Sequence, residues 1–223
     1  KSNILFNVYE VPHGCHFSDL DQMKFFGPIL FFIDESEYSY QIKRDWKKIK
    51  DIVYNLKAHT LSTSITDMLE ASTSGKGVER TYHPEAPKAI ERSFAFKPRL
   101  LRLLFYDSMG KYKEKEEISE SSFRVDLFDL INKYFANKPI GRLTNDYGIK
   151  YSKNKSLIHQ LIRKVLKTSE NQEIKELHQE NISIKTIPLN PENNYPWEAM
   201  SFPKFSLADL PNEKWSISEN NYE

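Results

Sequence analysis

Between Ser152 and Thr168 the apolar residues Leu157, Ile158, Leu161, Ile162 and Val165 recur at helical spacing, and no other stretch constrains the fold so tightly. At about 100° per residue they share one side of a helix, while Lys153, Ser156, Gln160, Arg163 and Lys167 share the other. One side must be buried against the rest of the chain. The other is cationic and belongs in solvent or against an anion.

The segments before it fit the same scheme. Ser122 is a good N-cap for a helix whose apolar stripe is Phe123, Leu127, Leu130, Ile131 and Tyr134, and Pro139 stops it. A short helix from Gly141 to Tyr147 follows, with Gly148 behind it. Beyond the basic helix, Glu173–Leu177 and Ile182–Ile187 have the composition of a hairpin across Gln179, Glu180 and Asn181. Helix, short helix, glycine turn, basic helix and hairpin is the order of a winged helix, a helix-turn-helix followed by a two-stranded wing.

Charge sharpens this reading. The chain of 223 residues has a formal net charge of +1, but residues 138–168 hold eight Lys or Arg against one acid, and residues 169–223 hold ten acids against four Lys. A basic block is thus followed by an acidic tail. Lysine and arginine neutralise phosphates and release counterions, and Gln and Arg also bond base edges in the major groove. The expected nucleic-acid contacts are Lys138, Arg142, Lys150, Lys153, Asn154, Lys155, Gln160, Arg163 and Lys167. An amphipathic helix with a solvated lysine face gives the same pattern without any ligand, and an acidic protein partner is a third reading.

The N-terminal half is of mixed character. Residues 3–11 alternate Ile4, Phe6 and Val8 with other residues and read as a strand, as does the apolar run 29–33. From Lys43 to Ala58, Trp46, Ile49, Ile52, Val53 and Leu56 mark one helical face, opposite a face that is mostly lysine. A short helix is expected around Ile65–Ala71 and a loop from Ser72 to Pro87. Pro98 before and Gly110 after a leucine-rich segment predict a helix over Arg99–Met109. Read instead as a strand, Lys97–Lys111 resembles the Arg-rich central hairpin of small ribosome-associated toxin nucleases.

Other motifs carry less. His13, Cys15 and His16 lack the second ligand pair of a zinc site, and Ser74-Gly75-Lys76-Gly77 lacks both the first glycine and the final Ser or Thr of a phosphate loop. Glu173-Ile174-Lys175 has the Glu-x-Lys form found at metal-dependent nuclease centres. Neither a metal site nor a cofactor is expected. No apolar run is long enough to cross a bilayer, and the single cysteine fits a reducing, cytoplasmic setting.

The sequence therefore predicts an α+β chain in three parts. Residues 1–97 hold strands and an amphipathic helix, 98–187 a mostly helical, winged-helix-like DNA-binding part, and 188–223 an acidic, extended tail. Trp197, Phe202, Phe205 and Trp215 in that tail are expected to bind a protein partner, since such side chains are unfavourable in water. The expected function is that of a non-enzymatic protein binding double-stranded DNA. The alternatives are an interaction subunit of a larger complex and a small nuclease or ribonuclease toxin.

Overall fold

The computed structural model describes residues 3–12, 21–33, 36–74, 77–113, 131–152, 156–165, 182–190, 192–193, 195–196 and 198–215. In chain order these form strands β1 (Asn3–Glu10) and β2 (Lys24–Phe32), helix α1 (Ser39–Tyr54), and strands β3 (Leu69–Thr73), β4 (Glu79–Arg80), β5 (Ala89–Ile90) and β6 (Arg92–Phe96). Helices α2 (Pro98–Lys113), α3 (Ile140–Asp146) and α4 (Ser156–Val165) follow, then strands β7 (Ile182–Leu189) and β8 (Met200–Phe205). Residues 131–135 are helical as well. The mixture of helices and strands is the expected α+β class.

Two compact units divide the chain, and each is built from separated segments. One comprises residues 1–2, 32–103 and 198–223, the other residues 3–31 and 104–197. The expected cut at Pro98 coincides with the first residue of α2, whereas the division between units falls inside that helix.

The second unit contains a sheet of order β2-β1-β7. Its central strand, β1, is buried on both faces: Ile4, Phe6 and Val8 on one, Leu5 and Tyr9 on the other. A strand covered on both sides reads as a near-continuous apolar run. β7 pairs with β1 in parallel, Asn3 opposite Ile182 and Glu10 opposite Leu189. The wing is thereby corrected. Ile182–Ile187 is a strand, as the sequence predicted, but it lies parallel to β1, and its expected hairpin partner Glu173–Leu177 falls outside the described residues. The pairing seen among the described residues is with β1, and it does not support the winged-helix assignment.

The first unit is formed by the antiparallel sheet β3-β6-β8 with α1 packed on β3. Ile42, Trp46, Ile49 and Val53 are the buried stripe of α1, and the helix ends where Leu56 adopts a left-handed conformation. It therefore stops short of the expected Ala58. The helix expected at Ile65–Ala71 is also corrected: a single 3-10 turn, Thr63–Ile65, precedes β3. Asp45 explains this geometry. Buried on α1, its Oδ2 accepts the backbone N–H groups of Asp67 (3.1 Å), Met68 (2.6 Å) and Leu69 (3.0 Å), which fixes the bend at Asp67 and Met68 from which β3 starts.

The tail is corrected too. Residues 200–205 are not an extension but the strand β8, paired with β6, and Leu207 and Leu210 behind it are buried. Phe205 stacks on Phe94 with centroids 4.3 Å apart, and Phe202 meets Phe96 edge-on at 5.0 Å. Trp215 stands edge-on to Trp46 at 5.7 Å. The aromatics expected to hold a partner thus hold the first unit together; Trp197 lies outside the described residues.

Candidate nucleic-acid interface

The helices that carry the basic block are fixed from beneath. Leu157, Ile158, Leu161 and Ile162 of α4 join Ile140 and Leu143 of α3, Ile131 and Phe135, Leu5, Tyr9 and Phe25 of the sheet, and Met23 just before β2 in one buried cluster. Burial of this many large apolar side chains is the dominant force holding α4 in place, about 1.5–3 kcal/mol for each one fully buried. The start of α3 is pinned by backbone bonds, with Ile140 N–H donating to the Met23 carbonyl (2.8 Å) and Gly141 N–H to the Asp21 carbonyl (2.9 Å). Gly141 has to be small here, because a Cβ would lie 3.0 Å from the Asp21 carbonyl oxygen.

A turn of defined geometry links the two helices. Gly148 lies in the left-handed region at φ +62°, the usual position past a helix end, and Ile149 N–H returns to the Thr144 carbonyl at 2.8 Å. The Tyr151 hydroxyl donates to Asp21 Oδ1 and accepts from Asp21 N–H, each at 3.3 Å. A short helix, a glycine turn and a second helix are therefore held in a fixed arrangement, as the sequence predicted.

Buried apolar residues on one side leave polar ones on the other. Gln160, Arg163 and Lys164 of α4 are exposed, as are Arg142 on α3 and Lys150 in the turn. Arg142 Nε lies 3.7 Å from Asp146 Oδ2 one turn on, a surface pair of small energetic weight that leaves the guanidinium accessible. Lys138 differs: it is half-buried, and its Nζ donates to the Tyr134 carbonyl at 2.9 Å, serving the end of the preceding helix. Lys153, Asn154, Lys155 and Lys167 lie outside the described residues. Lys164 is an exposed cation that the sequence reading placed in the basic block but not among the contacts.

A further lysine lies on the sheet of the same unit. Lys185 on β7 is half-buried, and loss of water around it holds its ammonium below the ordinary lysine range. Nothing in the sequence marks it, because a lysine within a strand pattern reads as a solvent-facing position. Among the described residues no three His, Cys, Asp or Glu side chains converge as metal ligands, and His13, Cys15 and His16 lie outside those residues. No described helix is long and apolar enough to cross a membrane.

In an alignment of 211 positions that covers 86% of the chain, it is 28% identical to the type II restriction enzyme Sau3AI of Staphylococcus aureus. That relative is an enzyme. The expectation of a non-enzymatic DNA-binding protein is corrected by this likeness, which favours the nuclease alternative. The chain spans 42% of the length of that relative, and no protein-family model matches it.

Proposed function

We propose that the chain is part of an enzyme that cleaves double-stranded DNA, and that it holds the duplex with the polar side of α4. The observation that carries this reading is the likeness to a restriction enzyme over most of the chain. The exposure of Gln160, Arg163, Arg142 and Lys150 on a buried apolar base supports it. Rigidly mounted cations suit phosphate oxygens, and Gln and Arg suit base edges. Lys153, Asn154, Lys155 and Lys167 continue the same sequence pattern, which supports a DNA-contacting role for this part of 98–187.

Hydrolysis adds water across a P–O bond, and its transition state gathers negative charge on the phosphoryl oxygens. We assign the compensating cation to Lys185, a half-buried lysine in the middle of β7. Incubating the chain with supercoiled plasmid, with and without magnesium, should yield nicked or linear product. Lys185→Met should lose cleavage at least about a hundredfold while still retarding a duplex in a gel, in line with removal of one charge-stabilising group. Intact plasmid under every condition removes the cleavage reading, and failure to retard any duplex removes DNA as the substrate.

A further inference from the structure

The first unit carries a second cationic surface, on α1. With Ile42, Asp45, Trp46, Ile49 and Val53 buried, the stripe directly opposite holds Tyr40, Arg44, Lys47, Asp51 and Tyr54. Arg44, Lys47, Lys48 and Lys57 line a shallow groove along this side, with Asp51 the one acid among its lining residues. Lys48 Nζ is held by the Ile65 carbonyl at 2.7 Å, so that cation has a fixed position. Among the described residues Arg44 and Lys47 have no ion-pair partner. Tyr40 and Tyr54 are 77% and 68% exposed, large aromatic rings left in water at the two ends of the stripe.

Such an arrangement is unfavourable by itself. Like charges three and four residues apart on a helix repel, and rings of this size gain nothing from solvent. A linear polyanion relieves the first and can engage the second, since tyrosine hydroxyls are regular donors to phosphate oxygens. The rise of 1.5 Å per residue sets the two tyrosines about 21 Å apart. A duplex strand carries one phosphate per 3.4 Å of axis, so the stripe matches a run of about six.

We propose that this face of α1 is a second, sequence-independent contact for the phosphate backbone of double-stranded DNA; it rests on the reading of the chain as a DNA-acting protein. Arg44 and Lys47 supply the charge, Lys48 and Lys57 flank them, and the two tyrosines bond phosphates at either end. The surface adds affinity and no base preference.

The test is a salt titration of binding to a short duplex by wild type, by Arg44→Glu/Lys47→Glu and by the milder Arg44→Gln/Lys47→Gln, with thermal unfolding as the control for folding. Both α1 variants should bind at least about tenfold more weakly near 0.1 M salt, and neutralising the pair should flatten the slope of log K against log salt by about two. Wild-type affinity and slope in the α1 variants, alongside weakened binding by Gln160→Glu/Arg163→Glu, overturns this inference and leaves the proposed function standing. Absence of wild-type binding overturns both. Displacement of the duplex by polyglutamate as readily as by competitor DNA also overturns it, in favour of an acidic protein ligand.

Discussion

Glu91 shows how a single side chain ties distant segments of the first unit together. Its two carboxylate oxygens meet Arg80 Nε at 2.8 Å and Lys204 Nζ at 2.7 Å, and the bond from Lys204, aided by the charge of Arg80, holds its pKa below the usual carboxylate value. The folded state therefore binds fewer protons than the unfolded chain as pH falls through the ordinary carboxylate range, so the stabilisation is present above the unfolded pKa and disappears below the folded one. A pH series of urea midpoints should show wild type losing stability toward acid more steeply than Glu91→Gln, and parallel curves refute the linkage. None of this is visible in the sequence, where Glu91 is one acid in a charged stretch and Lys204 lies in what reads as a tail.

Among elements, the strong helices are legible and the short strands are not. α1, α2, α3 and α4 announce themselves through apolar spacing, a leading proline or a trailing glycine, since each buries one side and leaves the other in solvent. β6 has all five residues buried, Arg92 and Ser93 among them, so it shows no alternation to read, and β3 looks helical from composition alone. What makes β3 a strand is its pairing with β6, and Asp45, more than twenty residues earlier, sets where it begins by holding the N–H groups of Asp67, Met68 and Leu69 on its carboxylate. Asp45→Ala leaves three donors without that acceptor and should destabilise the protein by about 3 kcal/mol, read as a fall in urea midpoint. A loss below about 1 kcal/mol means that water replaces the carboxylate there.

For the whole molecule, the order of residues along the chain misleads about which ones fold together. The sequence divides at composition changes near residues 97 and 187, yet both units draw on early and late segments. The acidic tail illustrates the cause: its charge suggests a solvated extension, while Phe202, Phe205, Leu207 and Leu210 complete a core begun more than a hundred residues earlier. Removing residues 198–223 should therefore abolish cooperative unfolding of the first unit, seen as loss of near-ultraviolet circular dichroism; a truncated protein with wild-type signal contradicts this. The basic helix, by contrast, was legible down to its exposed Gln160 and Arg163, because a local repeat needs no distant partner to be recognised. The parallel pairing of Asn3–Glu10 with Ile182–Leu189 has a consequence for biosynthesis. During synthesis β1 emerges with one edge open, and that edge stays uncovered until β7, more than 170 residues later in the chain, has followed, an interval in which chaperones have an obvious place to act.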